Sequence, residues 1–533
     1  MKSISELTLG FPDAENYKRR ENKDLFNQVF IRNKYLDRLC DPAISFLVGE
    51  KGTGKTAYAV YMTNNDHKET RGSIRYIRET DYQKFISLKQ EKHLQLSDYT
   101  SIWKVIIYLL LSQHVIETEG GIEFLRRFNH MGDVQDAIEE YYNSAFSPEI
   151  LQALELVQGS KLAAEIFAKH AKTSGEQKHE LKFSENRFQT NLFYIQRQFE
   201  NALKQVRCTR NHIIFIDGID IRPATIPYPE YIDCIKGLAN AVWEINNDFF
   251  PSIKGGAGRL RAVLLVRPDI FASLGLQNQN TKSRHNSVFL DWRTDYIHHR
   301  ESEIFKIINR LLAVQQSEAL QEGDAWDYYF PWDAPKVREE FDRPSSFISF
   351  LRWSYYRPRD ILTMLTILQD FQIQGAGENN HFTLNTFDSA SFRRDYSDYL
   401  LGEIKDQLAF YYRVEEFELL LKFFEVANGK ARFSFTQYEE IYKRFRLTVG
   451  KSDEDLPDFL QSSNTFLQFL YDLNIICYIE KPEDDRPYPR WCFRERSYAN
   501  ISPKVKDGVD YEVFYGLHKA LNLGREFINT KQS

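Results

Sequence analysis

The sequence predicts an α/β protein: a parallel β-sheet interrupted by a large helical insertion, then a helical region, then a C-terminal part of helices and a β-hairpin. Three observations carry this. First, the apolar run "AISFLV" (43–48) leads into the glycine-bearing stretch "GEKGTGKT" (49–56) and then into the helix-periodic "AYAVYM". Second, the strand candidate "SIRYIRE" (73–79) follows after one helix length, the spacing of a strand–helix–strand unit. Third, three more β-type runs appear far downstream, "HIIFIDGID" (212–220), "RAVLLVRPDIF" (261–271) and "SVFLDW" (287–292). Continuous apolar runs of this kind suit strands covered on both faces, as in a parallel sheet. About five strands are expected, with "YIDCIKGLANAVWEI" (231–245) as a helix between two of them.

From about residue 99 to 206 the pattern is helical, in "YTSIWKVIIYLLLSQHV", "VQDAIEEYYNSAF", "EILQALELV", "KLAAEIFAKHA" and "FYIQRQFENALKQV", and it lies inside the sheet-forming span 1–295. Its role is either a cap on the sheet or a surface for a partner or a second copy. The helices "YIHHRESEIFKIINRLL" and "FISFLRWSYYRPRDILTMLTILQDF" make up a further region, 296–375. The polar joint "QIQGAGENNH" (372–381) then marks a boundary before 382–533. There the helices "EEFELLLKFFEVA" and "NTFLQFLYDLN" precede "IICYIEKPEDDRPYPRWCFRER", two strands around a charged, proline-containing turn. Helices followed by such a hairpin suggest a winged helix.

With 42% hydrophobic residues, 40 Phe and 30 Tyr, the 533-residue chain is expected to be folded over most of its length. A net charge of −6 excludes a surface that is basic all over, so any nucleic-acid contact must be a local patch such as "KRFR" (443–446). The five cysteines lack metal-site spacing and read as reduced thiols of a cytoplasmic protein. The opening "MKSISELTLGFPDAENYKRRENKD" does not have the pattern of a signal peptide, and runs such as "VIIYLLL" (105–111) are too short to span a bilayer, so no membrane association is expected.

The chemistry centres on the 49–56 stretch, which matches GxxxxGK[ST] through Gly49, Gly54, Lys55 and Thr56. In such a phosphate-binding loop, glycines let backbone N–H groups turn toward a phosphate and the following helix adds its positive end. Lys55 reaches the β- and γ-phosphates, and the Thr56 hydroxyl ligates Mg²⁺. Gly49, Glu50, Lys51, Gly52, Thr53, Gly54, Lys55, Thr56 and Ala57 are therefore the candidate nucleotide contacts, with ATP and Mg²⁺ the expected ligands. The metal needs a carboxylate opposite the threonine, at the end of a buried strand. Asp217 in "IIFIDGID" fits that requirement, and Asp220 is the candidate for orienting the attacking water. Arg267, ending the next strand, is placed to sense the γ-phosphate or else to pair with Asp269. Arg284 is a weaker candidate for a finger acting on a neighbouring copy. Arg357 or Arg359, in "YYRPRD", either reaches back to the nucleotide or has a helix-capping or salt-bridge role. The pair His298–His299 reads as surface or core histidines rather than a metal site, because adjacent residues of a helix point about 100° apart.

The order of loop, long insert, "FIDGID", "LLVRPDIF", "YRPRD" and winged-helix-like tail resembles the signal-transduction (STAND) and AAA+-like P-loop ATPases, the group that includes NACHT and origin-recognition ATPases. More closely, "LGFPDAENY" (9–17), "VFIRNKYLDRL" (29–39), "LVGEKGTGKTA" (47–57) and "LDW" (290–292) resemble the bacterial FunZ-type P-loop ATPases. The resemblance implies a P-loop NTPase of the ASCE type with strand order 5-1-4-3-2, a helical lid over 296–375, and Phe30–Ile31 as an adenine-side contact. One departure stands out: Gly218 follows Asp217 where many such ATPases carry Glu. The expected function is an ATP-hydrolysing switch that assembles with itself or engages a separately encoded effector, in the setting of anti-phage defence. The alternatives are a DNA-binding ATPase using its winged helix and a scaffold that holds nucleotide without hydrolysis.

Overall fold

The computed structural model describes the chain apart from residue 12, residues 78–95, 120–192, 194, 195, 198, 202 and 205, and residues 336–344, 375–379, 451–455, 482–486 and 525–533. The expected helices "VQDAIEEYYNSAF", "EILQALELV" and "KLAAEIFAKHA", and part of "FYIQRQFENALKQV", lie outside the described residues. The chain forms two compact units. One comprises Arg32–Gly49 and Lys55–Leu290. The other comprises Met1–Ile31, which holds α1 (Arg20–Val29), together with Glu50–Gly54 and Asp291–Ser533. This division cuts across the sequence span 1–295, whose residues 1–31, 50–54 and 291–295 go with the unit that also holds the spans 296–375 and 382–533.

The unit of Arg32–Gly49 and Lys55–Leu290 is α/β. After α2 (Lys34–Leu39), β1 (Phe46–Val48) runs to the loop and α3 (Lys55–Asn64), followed by β2 (Thr70–Tyr76) and α4 (Leu96–Glu119). Then come β3 (Asn211–Asp217), α5 (Tyr228–Glu244), β4 (Leu260–Val266), α6 (Pro268–Ser273), α7 (Gln279–His285) and β5 (Ser287–Phe289). The strands are all parallel, in the order β2-β3-β4-β1-β5, the expected 5-1-4-3-2 order read from the other edge. Every residue of β1 and β4 is buried, which is why these strands are, Arg261 apart, apolar rather than alternating. Because the strands are parallel, their carboxyl ends share one edge of the sheet. Gly49, Asp217 and Arg267 all lie there, at the edge where open α/β sheets bind ligands.

Helix α4 packs against α5, and the Trp103 indole N–H donates to the Cys234 carbonyl at 3.2 Å. Its His114 ring meets the His212 ring of β3 edge-on, with centroids 5.2 Å apart, and both rings are buried. Burial first, then the neighbouring His212 and Arg71 charges, push the His114 pKa down to about 4. The imidazole is thus neutral in the fold and takes up a proton more readily when unfolded, so the unfolded state binds more protons between the two pKa values. Stability is therefore full above about pH 6.5 and drains as the pH falls toward 4, by up to roughly 3 kcal/mol. Urea unfolding midpoints measured across that range are expected to fall with acid in the wild type and to fall less in His114→Gln.

The other unit begins with the N-terminal segment, tied down by long-range bonds. The Gln369 amide donates to the Ile4 and Leu7 carbonyls at 2.7 and 2.8 Å, and the Tyr329 hydroxyl donates to the Lys2 carbonyl at 2.8 Å. Its helices are α8 (Glu303–Ala313), α9 (Asp324–Tyr329), α10 (Phe347–Trp353), α11 (Pro358–Gln374) and α12 (Ala390–Leu408), around an aromatic core of Phe305, Trp326, Phe330, Phe347 and Phe350. The expected single helical run through "FISFLRWSYYRPRD" is broken at residues 354–357. Tyr356 there has φ +55°, a left-handed conformation that costs a bulky residue energy. Proline at the first position of α11 then restarts the helix. The histidine pair, too, is not on an α-helix but at the start of a short 3-10 turn, His299–Glu301: α8 starts only after Ser302, whose hydroxyl accepts from the Phe305 N–H.

The chain continues through α13 (Val414–Ala427), β6 (Arg432–Ser434), α14 (Phe435–Val449), α15 (Ser463–Asp472), β7 (Ile476–Glu480), β8 (Tyr488–Trp491), α16 (Cys492–Glu495) and β9 (Asp510–Val513). The expected hairpin is β7–β8. It belongs to a four-stranded antiparallel sheet in the order β6-β9-β7-β8, in which β9 separates β6 from β7.

Candidate functional site

The α/β unit carries Lys55, Thr56, Asp217, Asp220 and Arg267 of the candidate site. Lys55 and Thr56 open α3, directly after the loop, so their side chains are fixed by the helix start. The Lys55 ammonium is buried and donates to the Gly49 carbonyl at 2.9 Å. The Thr56 hydroxyl donates to Oδ2 of Asp217 at 2.6 Å, while Oδ1 accepts from the Gly218 N–H at 2.8 Å. Burial and the nearby Asp220 raise the Asp217 pKa, against the Thr56 hydroxyl, the Lys55 charge and the Gly218 N–H, which lower it. A cation beside this carboxylate would offset the burial and the Asp220 repulsion that disfavour its charged form. The Thr56 hydroxyl and Asp217 carboxylate form a hard-oxygen pair of the kind Mg²⁺ takes when phosphates and water complete its shell. Asp220 stands half-buried after Ile219.

Gly218 has φ +90°, and a Cβ on it would lie 2.6 Å from the Ile77 carbonyl oxygen. The backbone turns back on itself here, beside the end of β2, where the Ile77 N–H donates to the Asp217 carbonyl at 2.8 Å. Glutamate cannot occupy this position without displacing main chain. The "DG" pair is therefore a demand of the fold, and an acid needed near Asp217 has to come from another position.

Arg267 is almost fully buried at the end of β4 and holds Asp269 through Nε and Nη2, at 3.1 and 2.7 Å. The pairing alternative raised from the sequence is thus present. Arg284 lies exposed on α7. His298 is exposed and bound to Asp295 at 2.8 Å, whereas His299 is buried and bonded to the Tyr296 carbonyl at 2.8 Å. Among the described residues no group of three or more His, Cys, Asp or Glu is placed to hold a metal.

The middle of the loop, Glu50–Gly54, belongs to the other unit and is held there from outside. The Arg357 guanidinium donates from Nη1 to the Lys51 carbonyl at 3.0 Å and pairs with the fully buried Asp360 at 2.7 Å. The Arg359 N–H approaches the Gly52 carbonyl at 3.4 Å, and its side chain lies along Gly52, 3.1 Å from where a Cβ would be. The Trp292 indole N–H donates to the Thr53 carbonyl at 2.9 Å. The side chains are engaged as well: Lys51 pairs with Glu403 at 3.2 Å and Asp406 at 2.6 Å, and Glu50 pairs with Arg496. Phe30 is buried edge-on against Phe26, with centroids 5.6 Å apart, and Ile31 is half-buried.

Sequence reasoning singled out Arg357 and Arg359 but missed Trp292, Glu403 and Arg496. The signal for Trp292 was present: a tryptophan at the end of a strand has an apolar body and one N–H that must find an acceptor once buried. Glu403 and Arg496 carried no local signal, because their partners lie hundreds of positions away. No protein-family model matches the chain, and no curated protein is significantly similar to it. Among the described residues no helix is long and apolar enough to cross a membrane.

Proposed function

We propose that the chain is a P-loop NTPase that binds Mg²⁺ and ATP at Gly49–Ala57 and hydrolyses ATP slowly, acting as a STAND- or AAA+-like conformational switch. The observation that carries this reading is the 2.6 Å bond between the Thr56 hydroxyl and Asp217. These two residues, remote in sequence, are those that the GxxxxGKT motif and a strand-end carboxylate would bring to one magnesium ion. The β-sheet order and the buried Lys55 ammonium support the same reading. In this scheme Lys55 leaves the Gly49 carbonyl for the β- and γ-phosphates, and Mg²⁺, when bound by Thr56 and Asp217, neutralises charge on the phosphates. Asp220 orients water and Arg267 senses the γ-phosphate once released from Asp269. Arg359, along Gly52, is the better of the two arginine candidates for following the nucleotide, since Arg357 is committed to Asp360.

The switch reading requires that nucleotide alter assembly, with further copies or a separately encoded effector as partner and defence against phage as the setting. The C-terminal region supports a winged-helix-like reading through the order helix, β6, α14, α15, β7 and β8, with β9 as an added strand. The DNA-binding alternative draws little from it. Helix α15, where a recognition helix would stand, carries no Lys or Arg, and the exposed Lys443 and Arg444 of α14 follow Glu439 and Glu440.

The test is ATP hydrolysis and solution mass, with and without Mg²⁺ and ATP, on wild type and Lys55→Ala. Turnover and a nucleotide-dependent mass change in the wild type, both lost in the variant, are expected. Unchanged hydrolysis in Lys55→Ala would rule out the proposed site, and tight ATP binding without turnover in the wild type would favour the scaffold.

A further inference from the structure

We infer that Trp292 and Arg357 are positioning residues for the phosphate loop: their bonds to its outward carbonyls set the peptide planes so that the Gly52 and Gly54 N–H groups face an anion. The inference rests on the ATP reading above and names the residues that shape that site.

The geometry follows from the planarity of the trans peptide. Within one unit, the carbonyl of a residue and the N–H of the next point in opposite directions. The Arg357 guanidinium takes the Lys51 carbonyl, so the Gly52 N–H points away from it; the Trp292 indole takes the Thr53 carbonyl, so the Gly54 N–H points away in turn. Between them the Thr53 N–H is used up internally, donating to the Glu50 carbonyl at 3.2 Å, and the Thr53 hydroxyl reaches the same oxygen at 2.8 Å. Among the described residues the Gly52 and Gly54 N–H groups have no acceptor. Both glycines have positive φ, +86° and +91°. Such a conformation gathers successive N–H groups into a concave anion nest, and a loop free in solution would populate it only part of the time.

What holds the nest is built, not incidental. Trp292 is buried, and Arg357 is buried and clamped by Asp360 through Nε and Nη2, leaving Nη1 for Lys51. Asp360 is further fixed, accepting from the Tyr399 hydroxyl at 3.1 Å and the Tyr355 N–H at 2.9 Å. Neither Trp292 nor Arg357 needs to touch the nucleotide. Each acts by removing the conformational freedom that the loop would otherwise lose on binding phosphate.

The experiment is isothermal titration of the full chain with Mg·ADP and with AMP, which has no β-phosphate for the loop to hold. Trp292→Phe keeps the aromatic body and loses the N–H. It is expected to weaken Mg·ADP binding about tenfold, the worth of one good hydrogen bond. AMP binding should be unchanged, so that the preference for ADP over AMP collapses by the same factor. In steady state KM for ATP rises while kcat holds. Arg357→Lys, which keeps a cation beside Asp360 but shortens the reach to Lys51, is the companion variant, and the same collapse is expected. A wild-type ADP-to-AMP ratio in either folded variant, or equal weakening of both nucleotides, overturns the inference while leaving the ATP reading intact. A wild type that binds no Mg·ADP overturns both.

Discussion

Asp217→Asn is expected to lower kcat for ATP hydrolysis by about 10²–10³-fold, the usual loss when a charged group that stabilises a transition state is removed. The same change is expected to leave the melting temperature of the nucleotide-free protein equal to or above that of the wild type. The two effects have opposite signs for one physical reason. Burial and Asp220 both disfavour the charged Asp217, which is why its pKa is raised. A neutral asparagine of the same shape escapes that cost and can still accept from the Gly218 N–H. What it cannot do is offer a full negative charge to a cation. A calorimetric scan of the two proteins alongside a phosphate-release assay checks both halves. A melting temperature that falls by many degrees would instead make Asp217 a structural group.

Gly218→Ala is expected to destabilise the protein by about 2–4 kcal/mol, from the left-handed backbone and from the methyl group driven into the Ile77 carbonyl. With φ +90° and a contact of 2.6 Å to main chain, no side-chain rearrangement relieves the clash. Gly218→Glu, which restores the acid common at this position in related motifs, is expected to be at least as damaging and not to raise turnover. Denaturant unfolding of the alanine variant measures the first effect. A Gly218→Glu variant as stable as the wild type would show that β2 and β3 can part here and that glycine is merely tolerated.

Strands β1, β3, β4 and β5 were legible because each is centred on a short apolar run bounded by turn residues, a pattern that burial produces with little ambiguity, whereas the part-buried, polar β2 was legible from its place one helix after the loop. The meeting of Thr56 with Asp217 was legible for a similar reason, since the GxxxxGKT pattern follows one buried strand and Asp217 ends another, and parallel strands bring those ends to one edge of the sheet. Strands β6 and β9 were not, because "RFS" and "DYEV" are too short to show a period and acquire strand conformation only by pairing with each other and with β7. The break at Tyr356 was hidden inside an apolar pattern that reads as one helix. The meaning of Gly218 was hidden too: the sequence shows a missing glutamate, whereas the backbone shows a place where none can fit.

The arrangement of the C-terminal sheet bears on how the protein is made. Strand β6 leaves the ribosome with no partner, since its neighbour is β9 and not the β7–β8 hairpin that is synthesised between them. The sheet therefore closes only after Asp510–Val513 has emerged. Arg496, whose ion pair with Glu50 helps hold the loop, lies in the stretch between β8 and β9. Glu50 thus waits for its partner Arg496 through almost the whole of translation. Ribosome-bound chains stalled before residue 510 are where a β6 without its sheet neighbour β9 should be found.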